Sequence, residues 1–399
     1  MLASRTLFRY LVLSALGASL CSCEQTPATK GDKSPSGASD DDDKSDDRDD
    51  DGKSDDGDGT TPARDAGKAP GADASKPTGN GKVDAGTPSD SGTKPSADAG
   101  RGDTTPTPTV DAGKVPVEEP AVACNPADKK PDPKNFAPAD INRYKGMTLA
   151  TPTGPYGAVI ETDPAMPEYT IYRPMKLGEI KHPVIVWANG GCSKDGTYFS
   201  KWLLELVSHG FVAVSDGTPN GSGSRSIGNN GAPQIKALDW IIAENERPCS
   251  QYYHKLDVTK TAASGQSCGG LMSLGASGDK RLSTVVIFNS GMFETDQKIY
   301  GGLHAPMAYF IGGMDDIAYP QAETDVKAIS TVLLFYGNLD VGHFATWAED
   351  NAGEFGRVGV NWFKWRLLGD VTAEKEFSGA DCALCKAPSK WKVQKKMMD

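Results

Sequence analysis

Ser267 lies in the middle of Gly265-Gln266-Ser267-Cys268-Gly269-Gly270, reached through the small residues Thr261, Ala262, Ala263 and Ser264. Glycines two positions before and after a serine suit a sharp strand-to-helix turn, because a side chain at either place would strike the neighbouring strand or helix. A hydroxyl presented on such a turn becomes a nucleophile when a base takes its proton and a carboxylate holds that base in the right tautomer. The chain supplies both downstream, in the order Ser267, Asp315, His343. His182, His209, His254 and His304 fall at the edges of elements, whereas His343 follows the last strand of the pattern, which makes it the expected base. Asp315 is favoured as the acid by position, with Asp316 beside it as the alternative and Asp340 as a more distant one.

These three residues need a scaffold that brings distant segments to one place. Val184-Ile185-Val186-Trp187 is a continuous apolar run of the kind buried on both faces of a sheet, and it stops at Asn189-Gly190-Gly191-Cys192. Helical spacing of Phe199, Trp202, Leu203, Leu206 and Val207 predicts a helix over 197–208, with Trp202 in the core. A strand at 211–214 follows, then a Gly/Ser/Asn-rich loop at 216–231 that must be mobile or face a ligand, then a helix marked by Ile235, Leu238, Ile241 and Ile242. Beyond the serine, strands are expected at 284–288, 306–311 and 331–336, and helices at 320–329 and 355–368. Short segments at 156–160 and 169–174 read as an antiparallel start to the sheet. The alternation implies an α/β fold with a mostly parallel central sheet and helices on both faces. Ligands in such sheets bind beyond the carboxyl ends of strands, where Ser267, Asp315 and His343 all fall.

Taken together, Gly265–Gly270, Gly312-Gly313-Met314-Asp315-Asp316-Ile317-Ala318 and Gly342-His343-Phe344 resemble the α/β-hydrolase fold. Within it the chain is most similar to bacterial polyester hydrolases and cutinase-like esterases, with dienelactone-hydrolase-type enzymes as looser relatives, over about residues 182–368. The resemblance implies a serine esterase working through an acyl-enzyme without cofactor or metal. It maps the acid of an Asp-x-Ile-Ala segment onto Asp315 and the strand-end oxyanion residue onto Gly191. The oxyanion hole would be the backbone N–H groups of Gly191 and Cys268, at positions where the family carries aromatic or methionine side chains, and Phe293 would stand at an aromatic cleft wall. Two donors aimed at one oxygen bring their backbones within several Å, so Cys192 and Cys268 could be bridged; pairing of Cys192 with Cys249 is the alternative.

The front of the chain has a different character. Arg5 and Arg9 precede an apolar stretch from Leu11 to Leu20, and Leu20-Cys21-Ser22-Cys23 reads as a lipoprotein signal in which Cys23 is lipidated and becomes the membrane anchor. Plain secretory cleavage is the alternative. Residues 24–123 contain no Leu, Ile, Met or aromatic residue and are rich in Asp, Gly, Pro and Ser, the composition of a disordered tether. Of the net charge of −11, −9 falls in residues 1–123 and −2 in 124–399, so the folded domain expected at 124–399 has no charge signature of a nucleic-acid binder. Six cysteines in this domain suit an exported, disulfide-bonded chain, and Cys382-Ala383-Leu384-Cys385 is expected as a disulfide in the absence of a second pair of zinc ligands. No metal cluster, phosphate loop or dinucleotide fingerprint is apparent in the sequence. A small or polymeric ester is the expected partner, and the expected state is a monomer. An acyltransferase or amidase with the same triad, or a surface binding protein on a silent hydrolase scaffold, are the other functions this pattern allows.

Overall fold

The computed structural model describes residues 122–228, 230–344 and 346–398. The signal segment with Cys23, and all but the last two residues of the 24–123 linker, lie outside the described residues.

Ten strands form one sheet. β1 (Lys134–Phe136), β2 (Ala158–Thr162) and β3 (Tyr169–Pro174) make an antiparallel edge. β4 (His182–Ala188), β5 (Val212–Asp216), β6 (Leu256–Gln266), β7 (Leu282–Phe288), β8 (Met307–Ile311) and β9 (Leu334–Asn338) form the parallel body. β10 (Lys392–Lys396) closes the far edge antiparallel to β9, and the order is β1-β2-β3-β5-β4-β6-β7-β8-β9-β10. The expected mostly parallel sheet is present. β1 and β10 were not foreseen, because a three-residue strand and the sequence Lys-Val-Gln-Lys-Lys have no apolar alternation.

Strand residues alternate between two cores, as a period of two requires. Ile185, Trp187, Val286 and Phe288 face one side with α1 (Ser200–Ser208) and α6 (Gly353–Leu368). Val184, Val186, Val285 and Ile287 face the other with α2 (Ala232–Glu246), α3 (Cys268–Ala276) and α5 (Tyr319–Ala328). Two shorter helices, α4 (Gln297–Gly302) and α7 (Val371–Glu374), complete the domain. Burial on both faces explains the unbroken apolar runs Val184–Trp187 in β4 and Val285–Phe288 in β7. Trp202 is in the core as expected, packed with Trp187, Phe288 and Trp347 at ring separations of 6.0–6.2 Å.

Candidate active site

The carboxyl ends of β4, β6, β7, β8 and β9 surround one cavity of about 650 Å³, lined among others by Gly191, Ser267, Cys268, Phe293 and His343. Ser267 sits between β6 and α3 with φ 55° and ψ −117°, a conformation costly for any residue with a Cβ and held here by the surrounding packing. The two flanking glycines make the turn possible. A Cβ on Gly265 would lie 2.3 Å from the Gly269 carbonyl oxygen, and one on Gly269 would lie 1.9 Å from that of Ala188. The turn is pinned from the other side, where Ser290 Oγ donates to the Ser267 carbonyl at 2.6 Å.

His343 is buried, and its Nδ1 lies 2.6 Å from Asp316 Oδ1. The carboxylate paired with His343 is thus Asp316 and not the expected Asp315. Asp315 is exposed, while Asp316 is 1 % exposed and points inward. After Gly313, at φ 89°, the chain turns back so that the Asp316 amide donates to the Gly313 carbonyl at 3.1 Å. The Asp316 carboxylate then collects four donors. Oδ1 accepts from His343 and from the Ala318 amide at 2.9 Å, and Oδ2 accepts from Asn289 Nδ2 at 2.8 Å and the Gly312 amide at 2.9 Å. Burial alone would raise its pKa. The bond and charge of His343, with Asn289 and the Ala318 amide, outweigh that and hold it below the ordinary carboxylate value. Asp340, the other alternative, is exposed.

The His343 loop is tied to the Asp316 loop through the Gly342 amide, which donates to the Gly312 carbonyl at 2.6 Å. With its Nδ1–H donating a hydrogen bond to Asp316, neutral His343 presents a lone pair on Nε2. Gln266 Nε2 lies 3.4 Å from that nitrogen and donates to the His343 carbonyl at 3.3 Å. Ser267 and His343 line the same cavity without a hydrogen bond between their side chains, and contacts of this kind commonly tighten only when substrate is bound. The other four histidines lie away from the cavity; His182, for instance, is buried between the carbonyls of Gly210 and Leu177.

Gly191 and Cys268 also meet here. Asn189 accepts from Trp187 Nε1 and its Nδ2 donates to the carbonyls of Ser193, Asp195 and Asp216, which shapes the loop after β4. Within that loop Gly191 adopts φ 62°, a left-handed value that favours glycine. Cys268 is the first residue of α3, where backbone N–H groups have no partner inside the helix. A disulfide joins Cys192 to Cys268 with a Cα separation of 5.2 Å. Cys249 pairs instead with Cys124, so the alternative Cys192–Cys249 bridge is absent, and Cys382 pairs with Cys385 as expected. Phe293 is 46 % exposed in the cavity wall.

Two contributors were missed in the sequence. Asn289, buried after β7, accepts from Trp347 Nε1 at 2.9 Å through Oδ1 and so aims its amide nitrogen at Asp316. Gln266, buried beside Ser267, braces His343. A polar residue directly after an apolar run, as in Val285-Val286-Ile287-Phe288-Asn289, is the signal that could have found the first.

A mostly parallel sheet with a serine on a strained turn after one strand, and an Asp–His pair supplied by later loops, defines an α/β-hydrolase. The chain belongs to the PETase family, described as PET hydrolase-like, whose model matches residues 146–396. That membership makes it an ester hydrolase in general terms. A comparison with the curated proteins finds no match. Among the described residues no group of histidine, cysteine and acidic side chains is placed to hold a metal ion, and no helix is long and apolar enough to cross a membrane.

Proposed function

We propose that the chain is an exported serine hydrolase that cleaves carboxylic esters through an acyl-enzyme, with Ser267 as nucleophile, His343 as base and Asp316 as the group that orients it. Ser267 Oγ attacks the ester carbonyl while His343 Nε2 takes its proton; the Cys268 and Gly191 amides receive the charge that develops on oxygen. Collapse of the intermediate expels the alcohol, which leaves with the proton from His343. Water, deprotonated by the same nitrogen, then releases the acid and restores Ser267. The observation that carries this reading is the Asp316–His343 pair at 2.6 Å in the cavity to which the strained turn delivers Ser267.

A cavity of about 650 Å³ suits a small ester or a short stretch of a polyester, and Phe293 is assigned to its wall as a substrate contact. Three disulfides support export to an oxidising compartment. The lipid anchor at Cys23, a linker over 24–123 serving as a tether and a single catalytic domain over 124–399, acting as a monomer, belong to the same reading. The test is turnover of p-nitrophenyl esters of increasing chain length, with labelling by a fluorophosphonate probe. Both are expected for the native protein and lost in Ser267→Ala; equal turnover in the two proteins, or none in either, would overturn the assignment.

A further inference from the structure

The cavity wall carries three cations, Arg143, Lys201 and Arg225, and no aspartate or glutamate, in a protein whose net charge is −11. Two of the three are already occupied. Arg225 forms a two-pronged pair with Asp216 at 2.7 and 2.5 Å. Lys201 Nζ donates to the Ala348 carbonyl at 2.7 Å and lies 3.7 Å from Asp350. Arg143 has no carboxylate partner among the described residues. One nitrogen, Nη1, donates to the Tyr198 carbonyl at 2.8 Å, and the guanidinium carbon sits 3.7 Å from the centre of the Tyr198 ring. Stacking and one bond fix the plane of the group while leaving its other N–H donors unclaimed, which is how a guanidinium is prepared for a two-pronged grip on a carboxylate.

The segment that delivers Arg143 is itself anchored. Ile141 is fully buried, the Asn142 amide donates to Asn220 Oδ1 at 2.8 Å, and Asn220 Nδ2 returns a bond to the Asp140 carbonyl at 2.7 Å. Arg143 and Tyr144 both precede residue 146, where the family match begins, so this part of the wall lies outside the matched segment.

We propose that the substrate is an ester bearing a second, ionised carboxyl group, and that Arg143 binds that carboxylate. The proposal rests on the esterase reading above and supplies the substrate class for it. With a neutral ester the free donors of the exposed Arg143 stay with water, whereas a half-ester of a dicarboxylic acid, or an ester of a hydroxy acid, brings a carboxylate to them.

The experiment compares matched pairs: p-nitrophenyl butyrate against mono-p-nitrophenyl glutarate for charge on the acyl side, and phenyl butyrate against 4-carboxyphenyl butyrate for charge on the alcohol side. At least one anionic ester is expected to have a kcat/KM about tenfold above its neutral partner, the scale of a hydrogen bond to a charged group. That ratio should fall towards one in Arg143→Met, recover in part in Arg143→Lys, and shrink as ionic strength rises to about 0.5 M. No preference for either anionic ester, or a preference that survives Arg143→Met, overturns the proposal. A readout without turnover separates it from the esterase reading: calorimetric binding of monoethyl glutarate to Ser267→Ala should be tighter than that of diethyl glutarate and lost in the Arg143→Met double variant. Binding without hydrolysis in the native protein would sink the esterase assignment and keep the anion site; hydrolysis without anion preference would do the reverse.

Discussion

Replacing Asp316 by asparagine isolates the role of one buried group. Its two oxygens accept from four donors: His343 and Ala318 on Oδ1, Asn289 and Gly312 on Oδ2. An amide must turn its NH2 towards one pair. Facing Asn289 and Gly312, it would set three donors against one another, and Asn289 cannot reverse without giving up its bond from Trp347. Facing His343, it conflicts only with the Ala318 amide, because His343 can shift its proton to Nε2 and accept at Nδ1. The second arrangement is therefore preferred, and it leaves Nε2 protonated and unable to take the proton of Ser267. A carboxylate-to-amide change of this kind in a serine triad typically costs about 10⁴ in kcat, or about 5.5 kcal/mol of barrier. Asp315→Asn, at an exposed position one residue earlier, is expected to stay within about twofold, as ordinary surface substitutions do. The assay is kcat on a p-nitrophenyl ester for both variants, with thermal unfolding to show that each is folded. A folded Asp316→Asn that keeps more than a tenth of native kcat, while Asp315→Asn collapses, would refute the reasoning and restore the acid suggested by the Asp-x-Ile-Ala pattern.

Removal of the Cys192–Cys268 bridge by a double change to alanine should cost up to about 4.5 kcal/mol, the loop-closure value for a sequence separation of 76, read as a lowered denaturation midpoint. Because the bridge joins the two segments assigned to the oxyanion hole, kcat should also fall by at least about tenfold with little change in KM; an unaltered kcat would show that the hole is held without it. Asp325, buried beneath the cavity loop, accepts from Tyr300, Tyr309 and the Met292 amide. Burial pushes its pKa up to about 6 against the lowering effect of those three bonds. Since the folded value exceeds the unfolded one near 4, its stabilising contribution is full below about pH 4 and is lost as pH rises through 6, a change of about 3 kcal/mol. Urea unfolding across that range should show this slope in the native protein and lack it in Asp325→Asn; identical slopes would contradict the assignment.

The parallel body of the sheet and the sharp turn at Ser267 could be read from the chain because their signals are local. Val184–Trp187 and Val285–Phe288 are apolar without interruption, and glycine at 265 and 269 answers a steric demand that few residues can meet. Which of two successive carboxylates turns inward was not local. It depends on a reversal at Gly313 and on donors from Asn289 and Gly312, brought in by β7 and β8. Cysteine pairing failed to resolve for the same reason, since Cys124 reaches Cys249 across 125 residues. The family resemblance pointed to Asp315, and only the hydrogen-bonding geometry showed that the carboxylate beside His343 is its neighbour Asp316.

β10 has a consequence for how copies of this molecule meet. β9, all of whose residues are buried, would otherwise offer an open row of amides and carbonyls to any passing strand. The strand laid over it brings Lys392, Lys395 and Lys396 to the rim, and Lys396 is hooked onto the carbonyls of Lys327 and Ile329 at the end of α5. The rim of the sheet thus ends on a lysine-rich strand with Lys392 exposed to solvent, a guard against edge-to-edge aggregation.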